Sequence, residues 1–205
     1  MPPKPKFSSE SVIEAAFSIV RREGWTALSA RSIAKELGAS TGPIYAYLSS
    51  MTDIEEAVVE RALDLYARYL TAVQTGDAWI DSGIGYVRFA LEEQQLFRCL
   101  NDEKHTPMQR KLAKKVWERL SLDLAHHPMF KGLDDDLTVR IRQARWMLVH
   151  GLASLINMGW FHMDAQNHIR FNDERRISIE MLIRYLSGAL YKGMTDESQI
   201  ADLGQ

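Results

Sequence analysis

The apolar residues of this chain recur mostly one helical turn apart, and no convincing alternating run indicates a strand. The spacing predicts a first helix from Ser8 or Ser9 to Glu23, which Gly24 ends. Beyond residue 50 it predicts a long helix to about Gln74, helices ending near Gln94 and Leu100, one that begins at Thr106-Pro107, a long one ending near Phe161 and a last one from Asp173 to about Tyr191. The pattern therefore indicates a predominantly helical fold.

Residues 29–54 form the most informative stretch, because they are typical of two short helices joined by a tight turn. Ser29 or Ser32 can cap the first helix, and Gly38 can end it in the left-handed conformation. Ser40 can cap the second helix, whose Ile44 and Leu48 would point inward. A helix, a glycine turn and a second short helix are typical of a DNA-reading helix-turn-helix, although the same spacing fits an ordinary helical hairpin.

The stretch from about Ser8 to Ala57 resembles the N-terminal domain of the tetracycline-repressor (TetR) family of transcription regulators. The matching residues, in order, are Ile13, Ala15, Ala16, Phe17, Gly24, Leu28, Ser29, Ile33, Ala34, Gly38, Ala39, Ser40, Gly42, Ile44, Tyr45, Tyr47, Asp53 and Ile54. The resemblance implies an all-α fold, with a three-helix DNA-binding domain over residues 1–50. A larger helical domain for effector binding and dimerisation would then occupy residues 51–205.

A second resemblance lies in the C-terminal half. Residues 86–91 and 96–98 are similar to the start of the ligand domain in one TetR subgroup. Trp146, His150 and Gly151 match the W-x-x-x-H-G signature of that subgroup. Where the family commonly has a lysine at the start of its fourth helix, this chain has Met51, which predicts one phosphate contact fewer.

The family resemblance assigns DNA contacts to particular residues. The predicted DNA-binding residues are Ser29, Arg31, Ser40, Thr41, Gly42, Pro43, Tyr45, Tyr47 and Lys6. Thr41 and Pro43 would meet base edges, whereas the hydroxyls of Tyr45 and Tyr47 would meet phosphates. Both tyrosines could instead cover the small core of the domain. A palindromic double-stranded operator and a homodimer follow, since so short a reading helix needs a two-fold partner.

Two further sets of residues are candidates for the dimer interface and the effector site. The predicted dimer residues are Leu152, Leu155, Ile156, Leu182, Leu186 and Ala189, on the last two helices. The predicted effector residues are Phe89, Phe97, Leu100, Trp117, Trp146, Met147 and His150, which could line an apolar cavity for a small molecule. In both sets, individual residues could equally belong to the core of the subunit.

Composition and charge narrow the function classes. Residues 1–50 carry six basic and four acidic side chains, although the whole chain has a net charge of −2. No signal peptide is visible. The uncharged stretch 146–163 contains too many polar and glycine residues for a spanning helix, so we expect a cytoplasmic protein without membrane contact. With no H-E-x-x-H pair, nucleophile signature or phosphate-binding glycine loop, the sequence predicts neither an enzyme nor a cofactor or metal site.

Three alternatives remain open at this stage. A helical protein-interaction module would explain the helices and the dimer, but not residues 40–47. A regulator could instead sense thiol oxidation through Cys99, the one cysteine, if Arg98 lowered the pKa of its thiol. The pair His126-His127 could also bind a metal through histidine alone.

Overall fold

The computed structural model describes residues 7–42, 50–125, 127–164, 166, 168–170 and 175–196, without the side chains of residues 115–117, 119–123 and 125. Two compact units divide the chain. The N-terminal unit comprises Met1–Ala67 and Glu93–Trp117, and the C-terminal unit comprises Arg68–Glu92 and Glu118–Gln205. The N-terminal unit is therefore discontinuous in sequence, because it takes in a segment from the middle of the chain.

Helices dominate both units, which confirms the predicted all-α fold. They are α1 (Ser9–Glu23), α2 (Ala30–Glu36), α3 (Met51–Thr71), α4 (Ala78–Glu92), α5 (Gln94–Leu100), α6 (Thr106–Ala125), α7 (Asp135–Asn157) and α8 (Ile179–Thr195). Short 3-10 turns lie at Trp25–Ala27, Glu103–His105 and Pro128–Phe130. The predicted starts of α1 and α6 are confirmed.

The N-terminal unit is built around α1, whose start is fixed by a capping box. The backbone N–H of Ser11 donates to the Ser8 hydroxyl at 3.2 Å, and the N–H of Ser8 donates to the Ser11 hydroxyl at 2.9 Å. α1 packs against α2 and α5. The Arg21 guanidinium donates to the buried Glu93 carboxylate, with Nε 2.7 Å from Oε2, and so holds α5 against α1.

The C-terminal unit is built around α4, which packs against α7 and α8 and is buried from Trp79 to Val87. Its buried polar residues have partners on the surrounding helices. Arg145 of α7 donates to the Ser187 hydroxyl at 3.2 Å and to the Trp79 carbonyl, and its guanidinium lies 4.0 Å from the centre of the Trp79 ring. These contacts fix the three helices against one another.

A small antiparallel sheet precedes α8. Its strands are β1 (His162–Met163), β2 (His168–Arg170) and β3 (Arg176–Ser178), in the order β1-β2-β3. The predicted helix start at Asp173 is therefore wrong, because β3 pairs with β2 and α8 begins only at Ile179, after the cap Ser178. α7 ends at Asn157 rather than near Phe161, since Gly159 adopts a φ of 81°.

Candidate nucleic-acid interface and effector region

The first helix of the predicted helix-turn-helix is α2, and its ends are set as the sequence predicted. Ser29 is the N-cap, because its hydroxyl accepts from the backbone N–H of Ser32 at 3.0 Å. At the other end Gly38 adopts a φ of 61°, in the left-handed region that glycine enters without steric cost. The chain thus turns sharply after α2 and leads into residues 40–42.

The described part of the predicted DNA-binding set is accessible to solvent. Ser29, Arg31, Ser40, Thr41 and Gly42 are all exposed. The remaining predicted contacts, Pro43, Tyr45, Tyr47 and Lys6, lie outside the described residues. The first five residues are therefore available to a ligand at one end of α2 and in the turn that follows it.

An ion pair that the sequence did not single out joins α1 to α2. Arg22 donates to the Glu36 carboxylate, with Nη2 3.0 Å from Oε2, and this hydrogen bond lowers the pKa of Glu36. Both side chains are substantially exposed, so solvent and salt weaken the attraction. The pair helps to orient α2 rather than to stabilise the unit.

Three of the predicted effector residues belong to one face of α7. The His150 ring stacks on Trp146, with ring centres 5.3 Å apart, and its Nδ1 lies 2.7 Å from the Tyr86 hydroxyl of α4. Partial burial lowers the pKa of His150. Met147 is 59% exposed. Tyr86 thus joins the set as a polar group that the sequence placed only within a motif.

The other predicted effector residues are distributed differently. Phe89 is buried in the C-terminal unit, Phe97 and Leu100 are buried in the N-terminal unit, and the side chain of Trp117 lies outside the described part. One cavity of about 220 Å³ lies elsewhere in the C-terminal unit. Its lining consists of Leu70, Thr71, Ala72, Val73, Gly76, Ala78, Asp81, Ser82 and Leu124, none of which belongs to the predicted set.

The predicted dimer residues fall on helices that carry a large exposed apolar surface. Leu155 is 38% exposed and Ala189 is exposed, Leu152, Leu182 and Leu186 are half-buried, and Ile156 is buried in the core of the unit. Further exposed apolar side chains that the sequence did not assign to an interface are Leu148, Met158, Trp160, Met181 and Tyr185. So much apolar surface on two adjacent helices is typical of an interaction site.

Cys99 lies in α5, where it is only 2% exposed. Burial, with smaller contributions from Asp102 and Glu55, raises the pKa of its thiol to about 12. The reactive thiolate is therefore scarce at neutral pH, and neighbouring Arg98 does not activate it. This environment argues against a regulator that senses oxidation through Cys99.

Residues 79–175 match the family model of the tetracyclin repressor-like C-terminal domain. The chain carries a TetR-type C-terminal domain. A stretch of 77 residues is 34% identical to an uncharacterized HTH-type transcriptional regulator of Mycobacterium tuberculosis, and covers 38% of this chain and 35% of that regulator. The match thus spans about a third of the curated relative. Together these similarities support the TetR family and a transcription regulator; the W-x-x-x-H-G subgroup stays a prediction.

Solved structures of TetR proteins share this fold. A TetR-family transcriptional regulator from Streptomyces coelicolor is 18% identical, with a TM-score of 0.61 over 95% of this chain and 96% of that one. The multidrug binding protein EbrR, solved with imidazole, is 16% identical, with a TM-score of 0.59 over 89% and 93%. None of the helices among the described residues is long and apolar enough to span a bilayer.

Proposed function

We propose that this chain is a one-component transcription regulator that represses its targets by binding a palindromic operator as a homodimer. A small, largely apolar effector would release it. The observation that carries the proposal is the exposed series Ser29, Arg31 and residues 40–42, held by a capped helix and a left-handed glycine next to a TetR-type domain. Hydroxyl, guanidinium and bare backbone groups in this arrangement suit phosphates and base edges.

Selection of bound duplexes from a random DNA pool, at near-physiological salt, tests this function. We expect an enriched palindrome, because two copies of the short reading helix must meet half-sites about one helical turn, or a multiple of it, apart. Recovery of no sequence above background would contradict the proposal, and the interaction-module alternative would then be favoured.

Within that experiment, Thr41→Ala should relax the preference at one base pair of each half-site. Loss of one hydroxyl contact is expected to reduce the discrimination there by about 1 kcal/mol, while the other positions keep their preference. Thr138→Ala, the same chemical change in the C-terminal unit, is the matched control and should leave the selected motif unchanged. An unaltered preference at every position in Thr41→Ala would contradict the assignment of Thr41 to a base edge.

The homodimer that we propose uses the exposed flank of α7 and α8. Leu155→Glu should weaken self-association at least tenfold, because it would bury a carboxylate in an apolar interface. Val139→Glu is the matched control, since Val139 is also exposed but lies about 160° away around the same helix. Sedimentation equilibrium measures both constants, and equal dissociation constants for the two variants would exclude this flank from the interface.

The effector that we propose would bind in the C-terminal unit, with Trp146 offering an aromatic face and the linked Tyr86 and His150 offering hydrogen-bonding groups. Effector and operator then bind to two sites of one molecule, and the coupling between them must be reciprocal. Operator DNA is therefore expected to weaken effector binding by the same factor by which the effector weakens operator binding.

A further inference from the structure

The segment that joins the N-terminal unit from the middle of the chain changes the charge of that unit. Residues 1–67 carry seven basic and nine acidic side chains. Residues 93–117 carry six basic and three acidic side chains, so their addition makes the net charge of the unit positive. The helix-turn-helix unit thus owes its positive balance to residues that lie outside the helix-turn-helix.

Most of this added charge lies at the start of α6. Arg110, Lys111 and Lys114 are exposed and, at 100° per residue, fall within an arc of about 100° on one side of the helix. We refer to these three residues as the basic face. A cluster of basic side chains on one helix side is the electrostatic pattern by which proteins attract the phosphate backbone of nucleic acids.

The start of α6 is fastened within the N-terminal unit. His105, immediately before the helix, is only 1% exposed; its ring centre lies 3.9 Å from that of Trp25, and its Nδ1 is 2.9 Å from the carbonyl oxygen of Cys99. Lys104 lies over the Trp25 ring at 5.4 Å. The basic face is therefore held in a fixed position relative to the turn between α1 and α2.

Two ion pairs place the basic face beside the beginning of α3. Lys104 Nζ lies 3.2 Å from Glu55 Oε1, and Lys111 Nζ lies 3.6 Å from Glu56 Oε2. Glu55 and Glu56 come four and five residues after Met51, which corresponds to about 6 to 7.5 Å along the helix. The pairs also offset two carboxylates that would otherwise repel a phosphate backbone.

We propose that the basic face is a second DNA contact, in which Arg110 and Lys114 bind backbone phosphates that flank the half-site. This inference rests on the proposed function. The contact would be sequence-independent, since phosphates carry no base identity. It would also compensate for Met51, which stands where the resembled family commonly has a lysine.

The test compares DNA binding by the full-length protein and by the double variant Arg110→Gln/Lys114→Gln. Fluorescence anisotropy gives the affinity for the selected duplex, and for a scrambled duplex of the same length, over a series of salt concentrations. Two lost phosphate contacts should reduce the slope of log K against log salt by about 2. We expect this loss on both duplexes, with the selected motif unchanged.

The matched control is Lys131→Gln/Lys192→Gln, which removes the same charge from exposed positions of the C-terminal unit. Its slope should equal that of the wild-type protein, and Arg110→Lys should restore most of the loss because it keeps the charge. A double variant with the slope of the control would overturn the second contact while leaving the operator intact. Wild-type protein that binds neither duplex would overturn the proposed function and this inference with it.

Discussion

Gly85→Ala is expected to lower the free energy of unfolding by about 3 kcal/mol, at the upper end of what overpacking usually costs. A Cβ atom at this position would overlap the Tyr69 carbonyl group, with its carbon at 2.6 Å, and would approach Leu70 Cα to 3.2 Å. These are backbone atoms at the end of α3, so no side-chain rotation relieves the clash. The two helices would have to separate.

Thermal unfolding followed by circular dichroism measures this effect, which corresponds to a fall in Tm of about 6 to 12 °C for a chain of this size. Gly193→Ala in α8 is the matched control, because no atom lies within 4 Å of its added Cβ. Alanine favours a helix over glycine, so the control should be neutral or stabilising by up to about 1 kcal/mol. A Gly85→Ala variant as stable as the control would contradict the close approach of α3 and α4.

Asp81→Asn is expected to destabilise the fold by about 2 to 3 kcal/mol. The buried carboxylate holds the loop between α3 and α4: Oδ1 accepts from the backbone N–H and the hydroxyl of Thr75 at 2.8 and 2.7 Å, and Oδ2 accepts from the N–H groups of Gln74 and Gly76 at 3.1 and 3.2 Å. An amide keeps only one oxygen, so its NH₂ group would face two donors. Asp135→Asn, at an exposed position in α7, is the control and should change the stability little.

The same carboxylate makes the stability depend on pH. Burial, the largest single influence, favours the neutral acid, but the hydrogen bonds from Thr75, Gln74 and Gly76 together outweigh it and lower the pKa of Asp81. The stabilisation is therefore complete above the unfolded pKa of about 4 and is lost as the pH falls through the lower folded value. Urea unfolding from pH 7 downwards should show the difference between wild type and Asp81→Asn shrinking only below about pH 4; a difference that shrinks already at pH 6 would contradict this role.

The features that the sequence predicted best depend on neighbours along the chain. Helix caps are of this kind, because Ser8, Ser29 and Thr106 need only the next turn to act. The small sheet was missed for the opposite reason: β2 and β3 are three residues each, too short for a period, and their backbone groups are satisfied only by each other. The start of α8 was placed at Asp173 because the strand between them carried no local signal.

The candidate effector site shows the same limit. Aromatic residues at helical spacing look alike in sequence whether they line a site or fill a core. Phe97 and Trp146 were therefore grouped together, yet Phe97 is buried in the N-terminal unit and Trp146 is 41% exposed in the C-terminal unit. The contact between Tyr86 and His150 joins positions 64 residues apart, a distance that no periodicity reveals.

The discontinuous N-terminal unit sets a rule for building hybrid regulators. A graft of residues 1–50 onto a foreign body would remove Glu93 from Arg21, Gln95 from Gly24 and His105 from Trp25. Such a hybrid would carry the reading helix but lose the contacts that support it from behind. Exchange of DNA specificity between regulators of this architecture therefore calls for transplanting two separate segments, or for changing only the few exposed residues that face the operator.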